Sequence, residues 1–336
     1  MPDKVTPEAS GWTEEGTTVD AVSSELLRLH HDHMSHEHGH SAARTVNLIV
    51  APCQGDIEET VEWAVARLGG HNASRTIILS EHAADRLDAK AVIKCETPQS
   101  RTGGVGLCHD VVTLTADSAR LAHSGSLVAP LIVTGLPTVL WTPDATAPPP
   151  DPDLLDRSHQ LVLDTTGGGI DALRNAAALV PQTSVRDIAW GRLDYWRAAT
   201  AAAFDPEERL ALLGKVDALD VVFVDGGREA ALLYTGWVAA RCGWKVSALE
   251  SKGEDLSGTA KHGRRQVQLR VRHDAEASGC GGVGGATFTA GSEEIFVTRG
   301  AAADDAGDPF PVALRPIESF ARGYAPAIAA AAELAQ

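Results

Sequence analysis

The sequence has few aromatic residues and no long apolar run, and these shortages exclude some classes of protein. Phe, Trp and Tyr together make up only 5% of the 336 residues. The longest apolar stretch, residues 127–140, is interrupted by Pro130 and Pro137. A membrane-spanning helix needs about 20 uninterrupted apolar residues, so no membrane span is predicted.

Cysteine is also scarce. The five cysteines are an odd set with no Cys-x-x-Cys pair: Cys53, Cys95, Cys108, Cys242 and Cys280. Neither a disulfide framework nor a zinc ribbon has that arrangement. The first residues lack the basic and then apolar layout of a secretory signal. We therefore expect reduced thiols and a cytoplasmic location.

Positive charge is outnumbered, with 29 Lys and Arg against 45 Asp and Glu, which gives a formal net charge of −16. A chain of this charge repels the phosphates of nucleic acids and the head groups of anionic lipids. Neither nucleic acid nor membrane is therefore expected as a partner. The hydrophobic share of 44% is that of a globular protein and is sufficient for two ordinary domains.

From residue 45 onward, short β-branched runs alternate with amphipathic stretches, which is typical of α/β domains. Residues 1–44 are expected to form a polar tail, a helix and a His-rich linker. Residues 45–166 predict an N-terminal α/β domain with a three-layer sheet. Residues 167–336 predict a helical connector and a C-terminal α/β domain with a mixed sheet. The predicted fold class is therefore two α/β domains joined by helices.

Periodicity also predicts individual elements. Helices are expected over residues 56–68, 118–133, 170–179, 185–204, 228–242 and 317–335. Residues 266–272 alternate apolar and polar side chains, which predicts a strand with one solvent-facing side and antiparallel pairing. Residues 1–16 are polar and contain two prolines and two glycines, which favours a loose tail.

The segment His36–His40 matches the H-E-x-x-H pattern of zinc hydrolases, in which two imidazoles share one face of a helix. Gly39 lies inside the motif, and six histidines between positions 30 and 40 make a chance match easy. We therefore expect a solvated polar linker, with adventitious metal affinity as the second interpretation.

Gly279–Gly284 matches G-x-G-x-x-G, a pattern that in nucleotide-binding folds joins a buried strand to a helix. Here a polar segment precedes the glycines and a strand-like segment follows them. A hairpin loop is therefore expected, and the same holds for Gly103–Gly106. The sequence contains no G-x-S-x-G or Walker A motif, so no hydrolase or phosphotransferase is indicated.

Residues 187–197 concentrate aromatic and charged side chains in one short segment. They include two tryptophans, a tyrosine, two aspartates and two arginines. Trp, Tyr and Arg dominate protein interfaces because they combine a large contact area with a polar group. The same spacing also fits a core helix with an internal Asp–Arg pair. Both interpretations stay open at this point.

Four segments, in their order and spacing, carry a resemblance to a known family. They are SRTIIL at 74–79, VLWTPD at 139–144, the helix at 187–205 and LYTGWVAARCGWK at 233–245. Over residues 45–330 the chain resembles the OpcA family, the glucose-6-phosphate dehydrogenase assembly proteins. The resemblance implies a protein without catalysis or cofactor of its own, which binds glucose-6-phosphate dehydrogenase and promotes its active oligomer in the oxidative pentose phosphate pathway.

Under this hypothesis the partner-binding residues lie on the tryptophan-rich helix, with one further tryptophan as a second patch. They are Trp190, Arg192, Asp194, Tyr195, Arg197 and Trp141.

Two other functions remain as alternatives. An enzyme could bind a sugar phosphate or nucleotide at the carboxyl ends of the first domain's strands, near Asp144, Asp164 and Thr165. The sequence offers that enzyme no pair of nucleophile and base. A metal-responsive protein could use the histidines between His30 and His40.

Overall fold

A computed structural model describes residues 10–36, 40–41, 44–53, 73–96, 106–149, 151–277, 279, 281–298 and 323–335. Two compact units divide the chain: residues 1–143 with 149–162, and residues 144–148 with 163–336. The chain contains two β-sheets accompanied by helices, which confirms the predicted fold class of two α/β domains.

The sheet of the first unit has a parallel centre and an antiparallel margin. Its strands are β1 (Ser10–Glu14), β2 (His40–Ser41), β3 (Val46–Cys53), β4 (Ser74–Glu81), β5 (Asp88–Glu96), β6 (Gly106–Ala116), β7 (Thr138–Thr142) and β8 (Gln160–Leu163). They lie in the order β1-β5-β6-β4-β3-β7-β8, and β2 pairs with β6. Residues 10–14 were expected in a loose tail, and that prediction is wrong. Five residues pair with β5 there, and the ladder satisfies their backbone groups.

The helices of the first unit are α1 (Val19–His36), α2 (Ser118–Leu121), α3 (Ser124–Val128) and α4 (Pro152–Asp156). In α1, Val22, Leu26 and Leu29 form a buried stripe. The single helix predicted over residues 118–133 is wrong. His123 leaves the helical conformation, and Pro130, which lacks an N–H, belongs to a 3₁₀ turn instead. The helix predicted at 56–68 lies outside the described residues.

The sheet of the second unit is mixed. Its order is β11-β12-β13-β10-β14-β15, and the strand β9 (Val185–Asp187) precedes it in the chain. The bounds are β10 (Ala218–Phe223), β11 (Glu250–Lys252), β12 (Asp255–His262), β13 (Arg265–His273), β14 (Val283–Ala290) and β15 (Glu293–Val297). Strand β13 buries Val267, Leu269 and Val271 and exposes the residues between them, as the alternation predicts. It pairs antiparallel with β12 and parallel with β10.

The helices of the second unit are α5 (Gly169–Leu179), α6 (Ile188–Arg192), α7 (Asp194–Ala203), α8 (Glu207–Leu213), α9 (Arg228–Cys242) and α10 (Tyr324–Leu334). The continuous helix predicted over residues 185–204 is wrong, because β9 precedes it and Asp187 caps the start of α6. Of the helix predicted over residues 317–335, the part before Gly323 lies outside the described residues, and the described helix begins at Tyr324. Gly323 before it has a φ of 80°, which a right-handed helix cannot contain.

Two glycines explain close backbone packing in this unit. Gly236 of α9 lies against α10, and a Cβ there would sit 2.5 Å from the carbonyl oxygen of Ala327. A Cβ on Gly227 would lie 2.0 Å from the carbonyl oxygen of Gly282. The hairpin expected around Gly279–Gly284 is wrong, because β13 and β14 do not pair and instead flank β10. Of the other glycine run, 103–105 lies outside the described residues and Gly106 begins β6.

Among the helices that the structure describes, none combines the length and the apolar character needed to cross a bilayer.

Candidate functional site

The tryptophan-rich segment, residues 187–197, begins with a residue that caps its first helix. Asp187, the last residue of β9, accepts a hydrogen bond from the backbone N–H of Ala189 and so caps α6. Helix α6 ends at Arg192, and α7 starts after one intervening residue, Leu193. Leu193 keeps a right-handed backbone conformation, and its carbonyl oxygen accepts a hydrogen bond from the N–H of Arg197.

The two indoles of this segment belong to the core of the second unit. Trp190 is 1% exposed and Trp196 is fully buried. The ring of Trp190 packs edge-on against Tyr324 of α10, with centroids 5.8 Å apart. Trp196 packs edge-on against Tyr195 at 5.5 Å. Burial of rings of this size is a large hydrophobic contribution to the stability of the unit.

Arg197 links this aromatic core to the surface. Its guanidinium lies 3.6 Å from the centroid of the Trp190 ring and donates a 2.6 Å hydrogen bond to the carbonyl oxygen of Trp190. It also binds the carboxylate of Asp194, one helical turn earlier. Burial lowers the pKa of Arg197 to about 10, so the group is still charged at neutral pH and interacts favourably with the indole face.

The outward side of α6 and α7 carries the polar residues of the segment. The side chain of Asp194 is 71% exposed and that of Arg192 is 35% exposed. The hydroxyl of Tyr195 donates a 3.2 Å hydrogen bond to the carbonyl oxygen of Thr298. We call Arg192, Asp194, Tyr195 and Arg197 the α6–α7 surface.

Both sequence interpretations of the segment therefore describe part of it. The buried tryptophans match the core helix, while Asp194, which is 71% exposed, presents its side of the Asp194–Arg197 pair to solvent. Trp141, the predicted second patch, lies on β7 in the first unit and is 5% exposed. Partner binding by any of these residues stays a prediction.

A buried carboxylate that sequence reasoning missed lies beneath this segment. Asp187 is fully buried and accepts hydrogen bonds from the Thr165 hydroxyl at 2.8 Å and the Tyr324 hydroxyl at 3.0 Å. Burial raises the pKa of Asp187 to about 6, and the charge of Asp164 adds to the increase. Only its capping role, an Asp directly before a helix, has a signal in the sequence.

The loop after β8 was considered above as part of a ligand crevice. Its polar groups are bonded to one another and to side chains elsewhere in the second unit. Asp164 accepts from the N–H of Thr166 and pairs with Arg192 at 2.7 Å. The N–H of Thr165 donates to Asp187, and that of Gly167 donates to Glu229. Backbone N–H groups that could receive a phosphate in a nucleotide-binding loop are thus already bound by carboxylates of the chain.

Asp144, the remaining residue of the enzyme alternative, binds the N–H and the hydroxyl of Thr146. It therefore stabilises its own turn.

Another fully buried carboxylate, that of Asp110, lies in the first unit. Asp110 of β6 is fully buried and binds Arg44 at 2.5 Å, Arg75 at 2.9 Å and His30 at 3.0 Å. Burial by itself would raise the pKa of Asp110, but the His30 hydrogen bond and the charges of the two arginines lower it to about 2. The sequence separation of up to 80 positions left no local signal for this cluster.

The histidines between positions 30 and 40 divide among several environments. His30 belongs to the Asp110 cluster, and His33 is 6% exposed on α1. Residues 37–39 of the H-E-x-x-H match lie outside the described residues. Within the described part of the chain, no three His, Cys, Asp or Glu side chains are placed to hold a metal ion.

Comparison with known proteins gives matches in both halves of the chain. A family described as the glucose-6-phosphate dehydrogenase subunit N-terminal domain matches residues 65–178. The corresponding C-terminal domain matches residues 183–288. Together these two stretches cover more than half of the chain.

Three curated relatives carry the name OxPP cycle protein OpcA. The relative from Synechococcus elongatus is 30% identical over 50% of this chain and 38% of its own length. The one from Nostoc punctiforme is 28% identical over 62% of this chain and 46% of its own. The one from Synechocystis sp. is 28% identical over 60% and 43%. The chain thus matches less than half the length of each relative.

Among solved structures, the apo structure of OtsA aligns with a TM-score of 0.20 and 8% identity, over 68% of this chain and 48% of that one. A similarity this low carries no argument about fold or function.

Proposed function

Because the chain belongs to the OpcA family of glucose-6-phosphate dehydrogenase assembly proteins, we propose that it binds glucose-6-phosphate dehydrogenase and promotes the enzyme's active oligomer. The observation that carries the proposal is the ordered match of both family domains, at 65–178 and 183–288. The protein would act in the cytoplasm, in the oxidative pentose phosphate pathway, and would catalyse no reaction itself.

An effector of this kind works only through a difference in affinity. It must bind the active arrangement of the dehydrogenase more tightly than the inactive one. A coupling free energy of about 1–3 kcal/mol would change the enzyme's apparent substrate affinity roughly 5- to 150-fold. No chemical step by this chain is needed.

The α6–α7 surface is our candidate for the contact with the dehydrogenase. Its support is the juxtaposition of exposed charge and buried rings: Arg197 bonds both to Asp194 at the surface and to the Trp190 carbonyl below. Residues held on a rigid core lose little side-chain freedom on binding, which favours affinity. Trp190 supports this surface from below, and Trp141 is the weaker candidate because it is buried in the other unit.

The test is a dehydrogenase assay at varied glucose 6-phosphate, with and without the protein, paired with size-exclusion chromatography of the mixture. We expect co-elution and a lower apparent KM or higher kcat. Separate elution together with unchanged kinetics would overturn the proposal. Turnover of a sugar phosphate by the protein alone would contradict its non-catalytic part.

Asp194→Ala tests the α6–α7 surface, with Asp171→Ala as the matched control. Both aspartates are more than two-thirds exposed and pair with an arginine three residues later, Asp194 with Arg197 and Asp171 with Arg174. We expect Asp194→Ala, and likewise Arg197→Ala or Tyr195→Ala, to weaken activation about tenfold while Asp171→Ala leaves it unchanged. Equal activation by all variants, with circular dichroism confirming the fold, would remove this surface from the interface.

A further inference from the structure

Arg192 belongs both to the α6–α7 surface and to a network of polar groups around the buried Asp187. Its guanidinium pairs with Asp164 at 2.7 Å. Asp164 directly precedes Thr165, which bonds to Asp187 through both its N–H and its hydroxyl. The side chain of Arg192 is 35% exposed, so a protein that covers the α6–α7 surface meets its guanidinium. The network therefore connects a charge at the surface with a carboxylate that solvent does not reach.

Arg192 binds the rest of the described chain through a single side-chain nitrogen. Nη1 contacts both oxygens of Asp164, at 2.8 and 2.7 Å, and donates a 2.9 Å hydrogen bond to the hydroxyl of Thr166. Within the described residues, Nε and Nη2 donate to no acceptor. This side of a guanidinium binds a carboxylate by two parallel hydrogen bonds. The exposed carboxylate of Asp194 does not compete, because it is paired with Arg197.

The pocket around Asp187 accommodates its carboxyl group in both protonation states. Oδ1 accepts from the N–H groups of Thr165 and Ala189, at 3.1 and 3.0 Å. Oδ2 accepts from the hydroxyls of Thr165 and Tyr324, at 2.8 and 3.0 Å. An N–H can only donate, whereas a hydroxyl can donate or accept, so an added proton goes to Oδ2 and one hydroxyl reverses its bond. The cap on α6 persists, because Oδ1 still accepts from Ala189.

The titratable and charged groups near Asp187 come from four elements. Asp164 comes from the loop after β8, and Arg192 comes from α6. Glu229, in the first turn of α9, accepts a hydrogen bond from a backbone N–H of the same loop. Tyr324 comes from α10. Burial, and then the negative charge of Asp164, raise the pKa of Asp187 to about 6, so this group changes its charge close to neutral pH.

We propose that Nε and Nη2 of Arg192 bind a carboxylate of the partner protein, and that Asp187 takes up a proton when they do. The inference rests on the proposed function, since the partner is glucose-6-phosphate dehydrogenase. The arriving carboxylate adds a negative charge beside Asp164 and competes with it for the guanidinium. More negative potential at Asp187 favours its neutral form. Asp187 thus acts through Arg192 and touches no atom of the partner.

The same coupling works in the opposite direction. Protonation of Asp187 removes one of two negative charges that hold Arg192 on the chain, so the guanidinium binds the partner's carboxylate more readily. By linkage, proton uptake and binding favour each other to the same extent. The dehydrogenase should therefore be bound more tightly as the pH falls through about 6.

The first test uses the free protein. Aspartate labelled with ¹³C at its carboxyl carbon reports the ionisation of each side chain in NMR spectra, and Asp187→Asn identifies the Asp187 signal. We expect this signal to titrate near pH 6. If Asp187 does not titrate between pH 5 and pH 8, it cannot exchange a proton on binding, and the proposal is overturned whatever the dehydrogenase does.

The second test compares the Kd for the dehydrogenase at pH 5.5 and pH 7.5. The wild type should bind about fivefold more tightly at pH 5.5. Asp187→Asn is uncharged at both pH values, so it should bind at pH 7.5 about as tightly as the wild type binds at pH 5.5. Its amide keeps an acceptor for Ala189 and a donor for the hydroxyls. A structural role alone would instead make this variant bind more weakly at both pH values.

The matched control is Asp151→Asn. Asp151 is also a buried aspartate, 6% exposed, and it caps α4 of the first unit by accepting from the N–H of Asp153. This variant should keep the pH dependence of the wild type, so titrating groups of the dehydrogenase cancel in the comparison. If Asp187→Asn shows the same pH dependence as Asp151→Asn, Asp187 is not linked to binding and the proposal is wrong.

The third test addresses Arg192. Arg192→Lys keeps a positive charge beside Asp164 but lacks the two parallel donors, so it should weaken binding about tenfold. Calorimetry in two buffers of different ionisation enthalpy counts the protons taken up on binding. At pH 6.5 the wild type should take up more protons than Asp187→Asn. Equal proton uptake by these two proteins, or equal Kd values for the wild type and Arg192→Lys, would contradict the proposal.

The outcomes separate this proposal from the proposed function. If the wild type does not bind the dehydrogenase at either pH, the proposed function fails and the linkage fails with it. If the wild type binds and Asp187→Asn behaves like the control, the function stands and only the linkage is wrong. Binding that depends on Asp187 but is tighter at pH 7.5 would have the opposite sign and would also overturn the linkage.

Discussion

Among the residues that the structure describes, each unit has one carboxylate with no solvent exposure, Asp110 in the first and Asp187 in the second, and the two behave in opposite ways. Asp110 is surrounded by two arginines and a histidine, and its pKa falls to about 2. Asp187 is surrounded by hydroxyl and backbone N–H donors with another carboxylate, Asp164, nearby, and its pKa rises to about 6.

Burial acts in the same direction on both carboxylates, so the charge of the neighbours decides the outcome. Asp110 remains ionised at every physiological pH because positive charge offsets its desolvation. Asp187 receives up to four hydrogen bonds but no cation, and those bonds do not fully offset the cost of burying its charge.

The largest effect is expected when Asp110 loses its charge. Asp110→Asn leaves Arg44 and Arg75 buried without a counter-charge, which should lower the free energy of unfolding by about 3–5 kcal/mol. Urea denaturation at pH 7 measures this. The control is Asp85→Asn, because the Asp85 side chain is 94% exposed and should matter by less than about 0.5 kcal/mol. If Asp110→Asn lowered the free energy of unfolding by less than about 1 kcal/mol, the two arginines would not depend on the charge of Asp110, and the contrast with Asp187 would be wrong.

The second effect concerns pH. The folded pKa of Asp187 is raised, so its contribution to stability is present below about pH 4 and is lost as pH rises through 6. The free energy of unfolding of the wild type should therefore fall by about 3 kcal/mol relative to that of Asp187→Asn as the pH rises from 4 to 7. Asp110 has the opposite sign: its contribution of about 2 kcal/mol is present above pH 4 and is lost as pH falls through 2. Denaturation curves from pH 2 to 8 that show the same sign for both residues would contradict these assignments.

A smaller effect is expected from Tyr324→Phe, which removes one donor from Asp187. A hydrogen bond to a charged group contributes about 1.5–3 kcal/mol, and one to a neutral group about 1 kcal/mol. The variant should therefore be destabilised more at pH 8, where Asp187 is ionised, than at pH 4.5. A loss that does not depend on pH would show that the Tyr324 hydroxyl does not act on the carboxylate.

The smallest effect on stability is expected at Asp194. Its side chain is 71% exposed and pairs with Arg197 on the surface, so Asp194→Ala should change the free energy of unfolding by less than about 0.5 kcal/mol. Thermal denaturation would measure this. A loss above 1.5 kcal/mol would make Asp194 a structural residue, and its effect on the dehydrogenase could no longer be interpreted as contact.

Local patterns in the sequence predicted the elements that local forces determine. The helix over 228–242 and the alternating strand around Leu269 were confirmed because their periodicity is strong and their ends carry clear signals, such as Gly243 after the helix. The break between α6 and α7 was missed. The start of the first helix was missed too, because Val185–Asp187 form a strand and Asp187 caps a helix that begins at Ile188.

The candidate site was predictable only in part. The sequence left open whether residues 187–197 belong to a core or to an interface, because aromatic residues serve both, and only the structure shows that Trp190 and Trp196 are buried. The two buried carboxylates could not be predicted, since their partners lie 66 and 137 positions away along the chain.

The bond from Tyr324 to Asp187 also affects the order of synthesis and folding. During translation, Thr165 and Asp187 emerge long before Tyr324, so the carboxylate lacks its phenolic donor, and Trp190 its edge-on aromatic neighbour, until helix α10 is made. Contacts across such a separation form late and slowly. A ribosome-bound chain stalled before residue 324 should therefore expose this core to proteases, and limited proteolysis of arrested nascent chains would show it.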